Sequence, residues 1–288
     1  MTDLNNSYSN NYPYYVSFDV ELDSLIVEGQ NDFNDISFPK ITCAAIYCSK
    51  DESIKLYYSV TNNVLDIYEA AEILDELWKH SMRGAYILTW GGTAVDFRAL
   101  YNSLIFDKIR KQQCLTIARF YHIDITIASF TDMGIMMSLD AAARGTLQGS
   151  KILGISFLAP IIWKYGNKLE VLEHVKSDAI LTYKVYNNMI LSSPPKLTWE
   201  TKSGRKKNWS CSIITENRLL SNHLENYKDH QSSSVRCIRL PSVGECFSRI
   251  PPKVPFDIPA GMNRDTAAEW LLNACLLMEF ENMLEQLS

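Results

Sequence analysis

Between Tyr14 and Val60 the chain carries three apolar runs rich in β-branched and aromatic residues, YYVSFDVEL, FPKITCAAIYCS and SIKLYYSV, with polar segments between them. Runs of this length and composition are strands, and the short polar connections predict an antiparallel meander. The periodicity then changes. VLDIYEAAEILDELWKHSM places apolar residues at helical spacing, GAYILTWGG is a short apolar run closed by glycines, and AVDFRALYNSLIFDKIRKQQCLTIARF returns to a helix with one possible break. HIDITIASF reads as a short strand or extended segment, and SLDAAARGTLQ as a short helix capped by Ser138. NKLEVLEHVKSDAILTYKVYNNMI is a long helix stopped by Ser192–Pro195. Three strands, a helix, a strand and then mainly helices is an α/β arrangement in which helices cover a mixed sheet.

The first strand carries acids in its apolar context. Asp19 and Glu21 are two apart, so both side chains leave the same face. Two carboxylates on one face of an apolar strand repel each other and resist burial, which a hard divalent cation bound through oxygens would offset; the alternative is a strand edge carrying two solvated acids. Asp23 extends the series, but Ser24 stands where a calcium-binding EF-hand loop needs glycine. In WGGTAVDFRALY, Asp96 falls in the first turn of the helix that follows a strand and a glycine turn, where it either faces the end of the sheet or complements the helix N-terminus. His174 and Asp178 are four apart on the long helix and share a face, as a base beside a metal ligand or as a local ion pair.

The order D-x-E, W-G-G-x-x-x-D and H-x-x-x-D, carried by Asp19, Glu21, Asp96, His174 and Asp178, resembles the three motifs of the DEDD 3′–5′ exonucleases, the superfamily of proofreading domains, ribonuclease D, ribonuclease T and oligoribonuclease. The resemblance covers about residues 15–192, and SDAILTYKVY is similar to the last motif of exonucleases related to family B polymerases. It implies an RNase H-like fold and a site for two divalent ions, Mg2+ or Mn2+. Asp19 would bridge both ions, Glu21 and Asp178 would complete the site of the attacking water, Asp96 would hold the second ion, and His174 would be the base. His174 stands at the spacing that the tyrosine branch uses, Y-x-x-x-D, whereas the histidine branch spacing, H-x-x-x-x-D, falls on Glu173. Asn102–Asp107 also resembles a second motif; Asp96 is preferred because it directly follows a strand and a turn.

The resemblance implies release of nucleoside monophosphates from the 3′ ends of single-stranded DNA or RNA. The alternative readings are a catalytically inactive RNase H-like module that binds nucleic acid or protein, and a metal-dependent endonuclease of the same fold. The net charge of −5 announces no general attraction to nucleic acid, so any positive charge for a strand must be local. Such a region follows Pro195, where KLTWETKSGRKKNWSC reads as a β-hairpin turning at Ser203–Gly204. Lys202, Arg205, Lys207 and Trp209 would then share one face, suited to phosphates and a stacked base. The expected organisation is a polar tail over residues 1–12, an exonuclease domain over 13–195, and an extension over 196–288 that holds the hairpin and a terminal amphipathic helix, TAAEWLLNACLLMEFENMLEQL. Seven scattered cysteines without a C-x-x-C pair predict reduced thiols in the cytoplasm and no zinc site. No membrane span and no signal peptide are expected. His80, His122, His223 and His230 receive no role, and Trp78, Trp163 and Trp270 are expected in the core.

Overall fold

A computed structural model describes residues 14–25, 38–147, 157–201, 203–219 and 234–248. Strands β1 (Tyr15–Leu22), β2 (Ile41–Cys48) and β3 (Ser53–Tyr58) form the antiparallel meander. Helix α1 (Ile67–Met82) starts at a capping box in which the Asp66 carboxylate accepts the Tyr68 and Glu69 N–H groups while Asp66 N–H donates to Glu69. Strand β4 (Tyr86–Thr89) follows, then α2 (Asp96–Ser103), α3 (Lys108–Thr116), a π-helical turn (Ile117–Tyr121) and β5 (His122–Asp124). The sheet order is β3-β2-β1-β4-β5, with β1, β4 and β5 parallel. This is a mixed sheet flanked by helices, an RNase H-like α/β fold.

Helices α4 (Ile125–Met133), α5 (Leu139–Leu147), α6 (Ala159–Tyr165) and α7 (Lys168–Leu191) come next. α4 departs from the expected strand. Its Ile-rich stretch favours an extended backbone, but Asp124 caps it by accepting the Thr126 and Ile127 N–H groups, and the cap decides. α5 begins as expected at Ser138, whose hydroxyl accepts the Ala141 N–H at 3.2 Å.

The alternation of β1 sorts its side chains between two layers. Val16, Phe18, Val20 and Leu22 pack with Ile73, Leu74, Phe97 and Leu100 of α1 and α2. The opposite parity, Ser17, Asp19 and Glu21, faces α7; the Ser17 hydroxyl donates to the Ala179 carbonyl at 2.6 Å. α7 and α6 cover that face through Trp163, Val171, Val175 and Ala179, which meet Cys43, Ala45 and Tyr47 of β2.

After Pro195 come the hairpin β6 (Lys196–Glu200) and β7 (Lys206–Ser210), the pair β8 (Ile214–Leu219) and β9 (Ser234–Arg239), and α8 (Val243–Ser248). Position 195 is not a break in packing. Leu197, Trp199, Trp209, Leu240 and Val243 enter the same cluster as Tyr86, Leu88 and Tyr186. Gly145 shows how close the docking is: a Cβ there would lie 2.3 Å from the Thr198 carbonyl oxygen. The expected tail over 1–12 and the terminal helix with Trp270 lie outside the described residues. Trp163 is buried, and Trp78 packs against the core. Among the described residues no helix is long and apolar enough to cross a membrane.

Candidate functional site

The site forms where β1 outruns its parallel neighbour. Pairing of β1 with β4 ends at Ser17 and Leu88, while pairing with β2 continues beyond Glu21. From Val20 onward one edge of β1 therefore has backbone groups that β4 does not reach, at the carboxyl end of the parallel strands. Asp96, buried at the start of α2, fills that place: its Oδ1 accepts the Val20 N–H at 2.9 Å. This bond holds the second-motif acid against the first-motif strand.

The turn that delivers Asp96 is fully committed internally. Gly91 and Thr93 N–H both donate to the buried Asp124 carboxylate at 2.9 Å, and the Thr93 hydroxyl adds a third bond at 2.8 Å. Gly92 N–H donates to Thr89 Oγ1 at 3.0 Å, and the same hydroxyl shares a hydrogen bond of 2.6 Å with His122 Nε2. With its N–H groups occupied, the glycine turn does not cradle a phosphate; it positions a carboxylate. Gly92 is required by space, since a Cβ would lie 2.3 Å from Asp96 Oδ2. Sequence reasoning gave Asp124 and His122 no part. The available signal was a lone acid, at the end of an apolar run, with a threonine two residues later.

Asp107 has a separate task. It caps α3 by accepting the Arg110 N–H at 2.9 Å and pairs with that guanidinium at 3.0 Å, which holds its carboxyl below the usual range.

α7 supplies the remaining groups. His174 is 3% exposed, and its Nε2 lies 3.5 Å from Glu21 and 3.7 Å from Asp178. These are ion-pair separations, longer than good hydrogen bonds. Burial pushes the imidazole below its ordinary 6.5, so it is neutral at neutral pH. The acids move the other way. Burial, then the charges of Asp178 and Asp96, pushes Glu21 up to about 8. Burial and the charge of Asp140 raise Asp178 to about 7. Burial raises Asp96 to about 7 against the pull of the Val20 N–H. Asp19 is raised well above its ordinary value by burial and by Asp96, Asp178 and Glu21. The structure thus brings Asp19, Glu21, Asp96, His174 and Asp178 into one electrostatic neighbourhood.

No protein-family model matches the chain, and no curated protein matches it. The donor set is all oxygen apart from one imidazole, as a hard divalent cation prefers. Asp178 Oδ1 is buried without a hydrogen-bond partner, an acceptor that a cation would satisfy. Among the described residues no three such side chains already stand together around one point. A concavity of about 490 Å3 between α5 and α7, lined by Leu147, Tyr183, Lys184 and Leu191, includes none of these carboxylates.

The hairpin corrects the sequence reading in two respects. Its connection is a three-residue loop: Thr201 pairs with Arg205, and Gly204 takes a left-handed φ of +76°. Such a loop suits the strand twist where Gly can occupy the left-handed position, which displaces the expected two-residue turn. Trp209 is also unavailable for base stacking. It is 2% exposed and donates from Nε1 to Asp132 at 3.2 Å, so it anchors the hairpin to the core. Arg205, Lys206 and Lys207 are exposed at the tip, and Lys202 lies outside the described residues. At the loop end of the hairpin Arg144 pairs with Glu200 at 3.7 Å and with Asp140, the acid that raises Asp178.

Proposed function

We propose that this chain is a divalent-metal-dependent 3′–5′ exonuclease that hydrolyses single-stranded DNA or RNA from its 3′ end and releases nucleoside monophosphates. The observation that carries the reading is that Asp19 and Glu21 of β1, Asp96 of α2 and Asp178 of α7 lie close enough for their charges to perturb one another, with the buried His174 within 3.7 Å of Glu21 and Asp178. Acids raised this far are costly to ionise together, and an arrangement that keeps them together is suited to multivalent cations. Asp19, Glu21, Asp96 and Asp178 would hold Mg2+ or Mn2+, as the resemblance to DEDD exonucleases implies. Two such ions supply neutralisation of the phosphodiester's charge, activation of water and stabilisation of the leaving oxygen.

The chain's own residues divide the remaining work. His174, neutral at pH 7, accepts the proton of the attacking water; its place between Glu21 and Asp178 offsets the imidazolium charge that results. The Asp124–Thr93 turn and the Val20 N–H fix Asp96 before substrate arrives. Arg205, Lys206 and Lys207 offer positive charge to phosphates upstream of the 3′ end, and the Arg144–Glu200 pair and the close approach of Gly145 to Thr198 pack the hairpin on α5. We place the protein in the cytoplasm, a reading supported by the free thiols of Cys43, Cys48, Cys114, Cys211 and Cys246.

The test is incubation with single-stranded oligonucleotide and Mg2+ or Mn2+. The reading expects mononucleotide release that chelation abolishes; binding without release would instead favour an inactive module.

A further inference from the structure

α6 has apolar residues on both sides. Its inward side buries Ala159 and Trp163 against the sheet, with Trp163 Nε1 donating to the Asn63 carbonyl at 2.6 Å. Its outward side exposes Ile161 (58%) and Tyr165 (77%); Phe157 (80%) and Leu158 (51%) stand in the turn that leads into it, and Leu169 follows at the start of α7 (66%). Ile161 and Tyr165 are one helical turn apart, and the N-cap residue Leu158 lies three before Ile161, so the three form one stripe. A contiguous apolar stripe of this kind marks a contact surface rather than the scattered exposure of ordinary monomers. Lys164 borders it, whereas Lys168 turns to the inward side, lying over the Trp163 ring and donating to Asn63 at 3.2 Å.

The chain contains a segment of matching chemistry. Residues 266–288, outside the described residues, carry Trp270, Leu272, Leu276, Leu277, Phe280 and further apolar residues, with Glu269, Glu279, Glu281 and Glu285 and no lysine or arginine. Apolar bulk with negative charge is the complement of an apolar stripe bordered by the exposed Lys164. The reach is sufficient. α8 packs against α4 and the π turn, at the β5 side of the sheet, whereas α6 lies over β1 and β2. The intervening residues 249–265 can extend to about 55 Å, against roughly 45 Å across a domain of this size.

We propose that segment 266–288 of the same chain docks on the outward stripe of α6 and covers it. The proposal is independent of catalysis. A second copy, or the nearer segment 148–156, would leave Cys275 elsewhere, so Cys275 is the reporter.

Leu158→Cys, Ile161→Cys and Tyr165→Cys, each in the full chain, are mildly oxidised beside a control, Tyr68→Cys, placed on an exposed position of α1. Disulfides are mapped by peptide mass spectrometry. Docking confers an effective concentration near the millimolar range, so at least one stripe variant should pair with Cys275 of its own chain about tenfold faster than the control. Adding Lys164→Glu should reduce that rate. In the unmodified chain the same charge reversal should speed hydrogen exchange within 266–288, a readout that needs no cysteine variant to fold. Pairing between chains, or pairing no faster than the control with exchange unchanged, would overturn the proposal.

Discussion

Asp96→Asn offers a stability test of the acidic site that needs no substrate. The buried carboxyl titrates at about 7 instead of 3.8, a difference of about three pH units. A raised acid pKa means that the folded chain holds its proton where the unfolded chain has lost it. Stability is unaffected below about pH 4, falls as pH rises from 4 to 7, and is reduced in full above that. At 1.36 kcal/mol per pH unit the reduction is about 4 kcal/mol. Asparagine keeps the shape and can still accept the Val20 N–H through its carbonyl oxygen, but it has nothing to ionise. In chelator at pH 8 the variant should therefore be more stable than the wild type by up to about 4 kcal/mol, or roughly 10 °C in Tm. At pH 4.5 the difference should shrink to near zero. Divalent cation should reverse the order at pH 8, because ions that bind only the folded state stabilise the intact site more. Urea melts at pH 4.5, 6 and 8, with chelator or Mn2+, supply the comparison. A variant less stable than the wild type at pH 8 in chelator, or a gap that does not vary with pH, would refute the reasoning.

Three further outcomes follow from the same geometry. Gly92→Ala drives a methyl into Asp96 Oδ2 and should cost about 1–3 kcal/mol of stability; it should lower turnover by about a hundredfold through displacement of the acid, and unchanged activity would free the turn of that role. His122 is held neutral, its pKa lowered from 6.5 to about 4 by burial. Its contribution is present above pH 6.5 and lost as pH falls towards 4, by up to about 3 kcal/mol. The difference in stability between wild type and His122→Gln should show that slope, because the raised acids contribute equally to both. His174→Ala should lower turnover by about a hundredfold while Mn2+ still binds, and should erase the acidic limb of the pH–rate profile below 6.5; a persistent limb would return the role to another group.

The acids were legible because strand and helix periodicities fix which residues share a face. Asp19 and Glu21 leave β1 together towards α7, and His174 and Asp178 lie one turn apart on it. The succession of strands and helices was legible from the changes of periodicity, and the meander of β1, β2 and β3 from their short connections; the placing of β4 and β5 beside β1 was not. What escaped was tertiary. Nothing local says that Asp124 will reach back to Gly91 and Thr93, because that bond depends on β5 pairing beside β4. Nor does alternation along β7 distinguish a Trp turned towards the core from one turned to solvent; Asp132 decides it. The hairpin register shifted by one residue because Gly204 can adopt a left-handed backbone that closes a three-residue loop.

The central claim is tested most directly by digesting single-stranded DNA and RNA labelled at either end, with Mg2+ or Mn2+, using wild type and Asp19→Ala. The account predicts that 3′-labelled substrate yields labelled mononucleotide as its first product. It predicts that 5′-labelled substrate shortens one nucleotide at a time, and that Asp19→Ala does neither while remaining folded. Internal cuts, mononucleotide first from the 5′ label, or full activity in Asp19→Ala would contradict it.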